Sequence, residues 1–487
     1  MRICVAIMEP DAERAARAAV KAAEGGADLI EVRFDLMEAL PDDLSPFSAV
    51  PVPKIATLRS EAQGGRFPGD QAAVAAFYQL ALRSGFEMVD IEMGSPLLDS
   101  REGALRDAQV ICSHHDLAGT PAPSEIVEVL VQEGAKGALP KAAYAVNSCA
   151  DLLSIADAAR LFSSTEKGFV LIGMGDLGAL TRARADLLGC AFTYAALERG
   201  KETAPGQLDL GAMRGLSPRS MVLGIIGHPI SHSLSPPMHN AALEDAGISG
   251  AYLRLPVRPE ELEGFVQVAL EYDLRGFNVT IPHKEAVMPL LDRLAPTAER
   301  AGAVNTVVIE DGSLIGHNTD LHGVEMTFEE NGVDPAGKGA LLIGAGGAAR
   351  ACCAFLSGAG ARVSILNRTR SRAEELARSF GGCRAIDPRS VPEGEFDIIV
   401  NCTPLGMKGF PGELPLPADA LGPGKFVMDA VYNPPMTPLL EEARRAGAAI
   451  ANGERMLVHQ ALEAFRIWTG RTSSYDVMSG ALRGGEG

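Results

Sequence analysis

Gly344-Ala-Gly-Gly-Ala-Ala349 specifies the architecture of the second half of this 487-residue chain. It follows the apolar run Ala340–Ile343 and leads into Ala348–Ser357, which has helical character. A second apolar run, Arg362–Leu366, comes next. A strand, a tight glycine turn, a helix and a second strand in this order are typical of a Rossmann dinucleotide-binding unit. The pattern therefore predicts a nucleotide cofactor at this turn.

The residues after the second strand indicate which dinucleotide binds. An NAD site favours Asp or Glu at this point, where the carboxylate holds the ribose hydroxyls. This chain has Asn367, Arg368 and Thr369 there, and Arg372 one turn later. A carboxylate would repel a 2′-phosphate and these groups attract it, so we predict NADP(H). The alternative, a glycine turn in an ordinary α/β protein, does not explain the basic cluster.

Composition narrows the class of protein. The net charge of -18 and the pI of about 5.0 argue against nucleic acid or an anionic membrane as a partner. The length predicts two or three domains. The eight cysteines form no CxxC pair, and we interpret them as reduced thiols of a cytoplasmic protein without a metal. No signal peptide or membrane span is expected, and the sequence leaves a homo-oligomer open.

The first half alternates short apolar runs with alanine-rich helical stretches. The strand candidates are Ile3–Ile7, Leu29–Phe34, Lys54–Leu58, Met88–Met93, Val110–Ser113, Leu139–Val146, Phe169–Met174 and Ala191–Leu197. Eight β/α units over this length predict a (β/α)8 TIM barrel. A doubly wound open sheet is the alternative, and no glycine fingerprint in this half supports it.

Polar residues interrupt these strands near their C-terminal ends, where barrel enzymes build their active sites. They are Glu31, Arg33, Asp35, Arg59, Asp90, Glu92, His114, His115, Asp116 and Arg182. Lys141 lies inside an apolar strand, where an unpaired ammonium would be costly. Nearby arginines would favour the uncharged, nucleophilic amine. We therefore predict a Schiff-base lysine beside a histidine acid/base, with arginines for a substrate carboxylate.

At these residues the first half resembles type I 3-dehydroquinate dehydratase. The matching motifs are Glu31-Val-Arg33, Thr57-Leu-Arg-Ser60 with Gly64-Gly65, Ser113-His-His-Asp116, Pro140-Lys141, Gly173-Met174 with Thr181-Arg182, and Thr203-Ala-Pro-Gly-Gln207. The resemblance implies that Lys141 forms an imine with the substrate ketone and that His115, directly before Asp116, moves the protons. It also implies a set of substrate-binding residues: Glu31, Arg33, Arg59, Arg182, Thr203 and Gln207. Gln63, where the family usually has Glu, and Ala6, where relatives often have Ser, depart from the pattern.

The second half carries a different set of polar motifs after a linker-like stretch, Pro205–Ser220. Ser233 and Ser235 precede a predicted helix, as either an anion pocket or an N-cap pair. Lys284 and Asp320 are a candidate acid/base pair, because a carbonyl that receives a hydride needs a proton donor at its oxygen. A surface ion pair is the alternative for these two residues.

Across residues 221–487 these motifs resemble shikimate dehydrogenase. They are Gly276-Phe-Asn-Val-Thr-Ile-Pro-His-Lys-Glu285, Gly302-Ala-Val-Asn-Thr-Val307, Gly316-His-Asn-Thr-Asp320, Asn401-Cys-Thr-Pro-Leu-Gly-Met407, Asp429–Tyr432, and Gly453-Glu-Arg-Met456 with Gln460. The resemblance implies that Lys284 is catalytic together with Asp320. The implied substrate-binding residues are Ser233, Ser235, Thr280, Asn305, Asp320, Tyr432 and Gln460. The predicted cofactor-binding residues are Gly344, Ala345, Gly346, Gly347, Ala348, Asn367, Arg368, Thr369, Arg372 and Gly453.

Together the two resemblances imply consecutive reactions: dehydration of 3-dehydroquinate, then reduction of 3-dehydroshikimate to shikimate with NADPH. Two alternatives remain: an NAD(P)-linked quinate/shikimate dehydrogenase with a degraded barrel, and a non-enzymatic metabolite-sensing regulator. The intact Lys141, His115, Lys284 and Asp320 argue against both.

The expected domain order places the barrel at residues 1–212 and a linker at 213–220. A substrate-binding subdomain follows at 221–324 and is completed by 450–487. The Rossmann NADP-binding subdomain occupies 325–449. Because neither half borrows a motif residue from the other, we expect the fragments 1–215 and 218–487 to act independently.

Overall fold

The computed structural model describes residues 1–68, 70–163, 168–203, 206–387, 391, 396–410, 416 and 420–484. Ala204 and Pro205, which belong to a predicted substrate motif, lie outside this set. The fold divides into two compact units, residues 1–223 with 248–274, and residues 224–247 with 275–487. The domain boundaries drawn from the sequence stay a prediction.

The first unit is built on eight parallel strands. They are β1 (Arg2–Ile7), β2 (Leu29–Arg33), β3 (Lys54–Thr57), β4 (Met88–Glu92), β5 (Gln109–Asp116), β6 (Leu139–Ala145), β7 (Val170–Met174) and β8 (Phe192–Ala195). Their order is β7-β6-β5-β4-β3-β2-β1-β8. Ala191 N–H, just before β8, donates to the carbonyl of Phe169, just before β7, at 2.7 Å. The sheet is therefore a nearly closed barrel, which confirms the predicted fold.

Helices alternate with these strands along the chain. They are α1 (Ala12–Glu24), α2 (Gln71–Arg83), α3 (Pro123–Ala135), α4 (Cys149–Ser163), α5 (Ala179–Ala183) and α6 (Leu210–Arg214). Asp11 and Asp70 cap α1 and α2 by accepting backbone N–H groups of their first turns. Buried apolar side chains such as Leu29, Ile55 and Ile111 pack into one cluster of strand residues. The filled interior leaves the ends of the strands as the place for a site.

The first unit also contains two elements from later in the sequence, β10 (Gly250–Pro256) and α8 (Leu262–Glu271). The fully buried Tyr272 donates its hydroxyl hydrogen to the carbonyl of Leu152, on α4, at 2.8 Å. Arg184, 2% exposed, donates to the carbonyls of Tyr272 and Asp273 at 3.1 and 2.6 Å. These buried contacts join α8 to the barrel helices, a connection that the sequence did not predict.

The second unit begins with a mixed parallel and antiparallel sheet, which carries predicted substrate-binding residues of the second half. Its strands are β9 (Met221–Gly227), β11 (Gly276–Val279), β12 (Arg293–Leu294), β13 (Thr306–Glu310) and β14 (Ser313–His317), adjacent in the order β9-β11-β13-β14-β12. Its helices are α7 (Ser235–Asp245), α9 (Pro296–Ala301), α10 (Asp320–Glu330), α14 (Gly453–Thr469) and α15 (Tyr475–Gly484). Trp468 on α14 donates its indole N–H to the carbonyl of Val307 at 2.9 Å, so this C-terminal helix packs on β13.

The other sheet of the second unit is parallel throughout. It contains β15 (Gly339–Ile343), β16 (Arg362–Leu366), β17 (Cys383–Ala385), β18 (Ile398–Asn401), β19 (Phe426–Asp429) and β20 (Ala449–Ala451), in the order β17-β16-β15-β18-β19-β20. The helices α11 (Gly347–Gly358), α12 (Arg370–Ser379) and α13 (Pro438–Arg445) alternate with these strands in the sequence. From β15 the strands run first toward one edge of the sheet, through β16 to β17, and then toward the other edge, from β18 to β20. The glycine turn that follows β15 therefore lies at the topological switch point, where nucleotides bind. The predicted Rossmann fold is confirmed.

Within the described residues, no helix has the length and apolar character that crossing a bilayer requires.

Two candidate active sites

Lys141 lies inside the barrel on β6 and is 3% exposed. Its Nζ donates to Asp90 Oδ2 at 2.9 Å and to Glu31 Oε2 at 3.2 Å, and it stands 4.7 Å from the centre of the Tyr194 ring. The sequence predicted arginines around this amine, but its direct partners are carboxylates. A buried ammonium requires negative partners, and two strands supply them.

Asp90 connects the lysine to the rest of the site. Its Oδ2 also accepts from Arg59 at 3.0 Å, and its Oδ1 accepts from the Ser113 hydroxyl at 2.5 Å. Burial alone would raise the pKa of Asp90, but Arg59 and Lys141 together hold it below its ordinary value. The carboxylate therefore stays ionised between a guanidinium and an amine.

His115, on the same strand as Ser113, is held by Gln63. Gln63 Oε1 accepts from the backbone N–H of His115 at 3.0 Å and lies 3.1 Å from its Nδ1. A backbone N–H is always a donor, so the oxygen of the amide faces the histidine, and Nδ1 must carry a hydrogen to complete the second bond. Burial, Arg59 and Lys141 lower the pKa of His115 well below its usual range. The ring is therefore neutral, with a free lone pair on Nε2, which suits a general base.

The remaining residues predicted for the first site take varied positions. Arg33 forms a two-bond pair with Asp35, with both distances 2.8 Å. Arg182 is 2% exposed and donates to the carbonyl of Gly206 at 3.2 Å, and burial lowers its pKa to about 10. Thr203 donates its N–H and hydroxyl hydrogen to Gln207 Oε1, at 2.7 and 3.0 Å. Hydrogen bonds and electrostatic interactions therefore connect four of the predicted residues, Glu31, Arg59, Lys141 and His115. Arg33 is instead paired with Asp35.

Two further residues of this site were not predicted from the sequence. Tyr194, on β8, hydrogen-bonds through its hydroxyl to Glu31 Oε2, the same oxygen that faces Lys141. Glu133, on α3 and fully buried, accepts the backbone N–H of Lys141 at 3.1 Å, and burial raises its pKa to about 9. The position of Tyr194 in the eighth predicted strand could have indicated a residue of the site. No sequence pattern predicts a contact between Glu133, near the end of its helix, and Lys141.

The second site is a cavity of about 720 Å³ in the second unit. Most of the residues predicted for this half line it: Ser235, Thr280, Lys284, Asn305, Asp320, Ala345, Gly346, Gly347, Ala348, Arg372, Tyr432, Gly453 and Gln460. Ser233, Gly344, Asn367, Arg368 and Thr369 are described but stand outside this lining. The cavity therefore brings the predicted substrate residues and the glycine turn together. Asn278 and Arg350 also line it and were not predicted.

A short network holds the candidate acid/base pair at the wall of this cavity. Lys284 Nζ donates to Asp320 Oδ2 at 2.5 Å, and Asn305 donates to Asp320 Oδ1 at 2.8 Å. Asn305 also lies 3.4 Å from Gln460 Oε1. The side chains of Lys284 and Asp320 are 15% and 7% exposed, which excludes the alternative of a surface ion pair.

The glycine turn fits a dinucleotide beside this pair. Gly344 has φ of +112°, a conformation that favours glycine. A Cβ at Gly347 would lie 2.6 Å from Cδ of Lys284, so any side chain there would push against the lysine. Gly346 precedes the first turn of α11 and faces open space, which leaves the helix N-terminus accessible to a pyrophosphate.

The loop after β16 carries exposed basic residues. Arg368 and Arg372 are exposed, whereas Arg370 is paired with Glu374 at 2.8 Å. Asn367 donates its amide hydrogen to the carbonyl of Thr369 at 2.8 Å, which shapes the loop. Ser233 Oγ accepts the N–H of Ser235 at 3.3 Å, and Ser235 itself lines the cavity. The N-cap position of α7 is Leu234, so neither serine is the N-cap residue.

Family comparisons match both halves of the chain. The pattern described as type I 3-dehydroquinase matches residues 3–217. The shikimate dehydrogenase substrate-binding domain matches residues 225–307, and the shikimate/quinate 5-dehydrogenase family matches 328–404. The shikimate 5′-dehydrogenase C-terminal domain matches 453–483.

Individual proteins extend these similarities. The chain is 35% identical over 502 residues to a chloroplastic bifunctional 3-dehydroquinate dehydratase/shikimate dehydrogenase from Arabidopsis thaliana, covering 96% of this chain and 82% of the relative. It is 48% identical to a shikimate dehydrogenase (NADP+) from Symbiobacterium thermophilum, covering 53% of this chain and 92% of that protein. A crystal structure of shikimate 5-dehydrogenase from Thermus thermophilus with NADP(H) and shikimate has a TM-score of 0.50 and 39% identity, covering 54% of this chain and 98% of that one.

Proposed function

Because the chain belongs to the family of bifunctional 3-dehydroquinate dehydratase/shikimate dehydrogenases, we propose residue roles for its two reactions. The first reaction dehydrates 3-dehydroquinate to 3-dehydroshikimate. The second is the NADP-dependent interconversion of 3-dehydroshikimate and shikimate. One observation supports the proposal: the chain contains both a buried lysine held by carboxylates in the same site as a neutral histidine, and a buried Lys–Asp pair beside a glycine turn.

In the dehydration, Lys141 attacks the substrate ketone and forms an imine with loss of water. Asp90 and Glu31 hold the lysine in place. The proton that Lys141 loses before it attacks leaves with the former ketone oxygen as water. His115 then removes a proton from C2, and the electron pair moves into the imine to give an enamine. The enamine expels the neighbouring hydroxyl as His115 returns the proton, and hydrolysis of the imine frees Lys141.

Arginine and amide side chains orient the substrate for this step. Arg182 and Arg59 are buried cations that would pair with the carboxylate and polarise hydroxyls. The remaining substrate contacts in this proposal come from Arg33, Thr203 and Gln207. The ion pair with Asp35 fixes the orientation of the Arg33 guanidinium.

In the reduction, Lys284 donates a proton to the ketone oxygen as the carbonyl carbon receives its hydride. NADPH supplies that hydride when it is bound. Asp320 keeps Lys284 in position at 2.5 Å, and Asn305 fixes the other oxygen of the carboxylate at 2.8 Å. The remaining substrate contacts are assigned to Ser233, Ser235, Thr280, Tyr432 and Gln460.

The cofactor-binding roles follow from the glycine turn and the basic loop. The backbone around Gly344–Ala348 would receive the pyrophosphate at the start of α11, and Gly453 lines the same cavity. Arg368 and Arg372, with Asn367 and Thr369, would hold the 2′-phosphate of NADP.

Further proposals concern the organisation and partners of the chain. We propose the domain boundaries predicted above: the barrel at 1–212, the linker at 213–220, the substrate-binding subdomain at 221–324 with 450–487, and the NADP-binding subdomain at 325–449. The charge of -18 supports the proposal that neither nucleic acid nor a membrane is a partner. A cytoplasmic location and a homo-oligomer stay predictions.

Trapping the imine tests the proposal at its central residue. Borohydride added together with 3-dehydroquinate should reduce the imine, add the substrate mass to the peptide that contains Lys141, and stop dehydration while the reduction of 3-dehydroshikimate continues. Lys284→Ala is the matched control, because it should be labelled like the wild type. A label on another lysine, or dehydration that survives in Lys141→Ala, would refute the assignment.

A further inference from the structure

Two pairs of cysteine thiols lie side by side in the second unit, and the proposed reactions use neither. Cys353 Sγ lies 3.3 Å from Cys383 Sγ, and Cys402 Sγ lies 3.6 Å from Cys352 Sγ. The first pair joins α11 to the edge strand β17 across 30 residues of sequence. Sulfur atoms in a disulfide are about 2.05 Å apart, so this pair needs to approach by only about 1.3 Å.

We propose that Cys353 and Cys383 form a reversible redox modification site, at which a low-molecular-weight disulfide oxidises the two thiols to an intramolecular disulfide. The two sulfurs already face each other in the reduced fold. Cys353 is fully buried, while Cys383 is partly exposed. An oxidant can therefore reach Cys383 first and Cys353 only through it.

The electrostatics of the thiols support this order. The hydrogen bond between the two thiols lowers the pKa of the Cys383 thiol and raises the pKa of the Cys353 thiol. The thiolate is the reactive form, so Cys383 is the attacking group. By contrast, the hydrogen bond with Cys352, together with burial, raises the pKa of Cys402. Burial also raises the pKa of the thiols in the first unit, namely Cys4, Cys112, Cys149 and Cys190.

The reaction balances with oxidised glutathione as the oxidant. The Cys383 thiolate attacks one sulfur of oxidised glutathione, which forms a mixed disulfide and releases one glutathione thiolate. Cys353 then attacks Cys383 Sγ, the second glutathione leaves, and the proton from Cys353 passes to a glutathione thiolate. Two protein thiols are oxidised and one glutathione disulfide is reduced to two thiols.

The bond would tie together two elements next to the cofactor-binding residues. The first turn of α11 follows the glycine turn, and β17 pairs with β16 through Val363 and Cys383. The loop after β16 carries Arg368. The site is independent of the catalytic roles proposed above, because none of the residues assigned to catalysis belongs to the pair.

The test is to treat the full chain with oxidised glutathione and map its peptides without reduction. The peptide with Cys383 should appear joined to the peptide with Cys353, with the loss of two hydrogens, and dithiothreitol should separate them. Cys352→Ser should give the same link, which assigns the bond to Cys353. Cys353→Ser should keep one glutathionyl group on Cys383, and Cys383→Ser should stay unmodified. NADPH-dependent reduction by each variant reports that it has folded.

Three outcomes would overturn the proposal. The first is a wild-type chain that keeps a glutathionyl group on Cys383, because Cys353 then fails to resolve it. The second is oxidation that begins at Cys402 or at a thiol of the first unit. The third is a chain that stays fully reduced under conditions that oxidise a small dithiol.

Discussion

Replacing Gln63 with glutamate puts a negative charge beside the proposed general base. In the wild type, the neutral amide oxygen of Gln63 accepts two hydrogen bonds from His115. Gln63→Glu keeps the shape and both bonds, but a carboxylate also stabilises the charged imidazolium. The pKa of His115, which burial and its cationic neighbours lower in the wild type, should therefore rise in the variant.

The distance sets the size of the effect. Two unit charges at about 3.1 Å interact by roughly 5 kcal/mol at an effective dielectric constant of about 20, which is an upper bound. Gln63 is half-buried, so solvent screens the new charge. A carboxylate at this range typically raises the pKa of its partner by about 1–3 units.

The assay is the pH profile of kcat/KM for 3-dehydroquinate dehydration. The base must be neutral, so the rate falls as the pH drops through the pKa of His115, and Gln63→Glu should move this acidic limb to higher pH by about 1–3 units. Gln63→Ala, the control, should lower the rate without moving the limb upward. The pH profile of 3-dehydroshikimate reduction should be unchanged in both variants. A limb that stays in place or moves down in Gln63→Glu would refute the role of Gln63.

Three further predictions concern the other parts of the chain. Arg368→Ala should raise the KM for NADPH by about tenfold or more, from a loss of about 1.5–3 kcal/mol, and leave the KM for NADH nearly unchanged. The control Arg370→Ala removes a residue already paired with Glu374 and should change neither KM. Equal losses with both cofactors would contradict the phosphate site. His115→Ala should still trap the imine but turn over slowly, and His114→Ala should be milder, so the reverse ranking would overturn the assignment of the base. The fragment 1–215 should dehydrate 3-dehydroquinate but lose this activity at a lower temperature than the full chain. The reason is that the buried Arg184 loses the carbonyl groups of Tyr272 and Asp273 to which it donates. Equal midpoints of thermal inactivation would contradict this prediction.

Local pattern was enough to predict most of the framework. The predicted strand Arg362–Leu366 is the observed β16, and the barrel strands agree to within three residues at each end. Strand alternation, glycine turns and helix caps act over a few residues, so the sequence displays them directly. The main extension is β5, which continues past the predicted end at Ser113 to Asp116, because its pairing with β6 holds the polar residues in an extended conformation.

Contacts between distant segments could not be read in this way. The partners of Lys141 come from β2 and β4, and the packing of the nearly closed barrel determines that carboxylates rather than arginines contact its amine. Glu133 reaches Lys141 from a helix whose pattern shows only a polar final turn. The contact of Tyr272 with α4 depends on the packing of a segment that lies more than 100 residues away in sequence. Such pairings depend on the register and packing of whole elements, which no local motif encodes.

One coupled assay tests most directly the claim that a single chain carries both reactions. Pure protein is mixed with 3-dehydroquinate and NADPH, and the absorbance of the reduced nicotinamide is followed. We expect the absorbance to fall after a short lag, because free 3-dehydroshikimate must first accumulate, with one NADPH consumed for each 3-dehydroquinate. Lys284→Ala should instead accumulate that enone without consuming NADPH, and Lys141→Ala should consume NADPH only when 3-dehydroshikimate is supplied. NADPH that stays constant in the wild type, or a Lys141→Ala variant that consumes it from 3-dehydroquinate, would show that the chain does not carry both reactions as proposed.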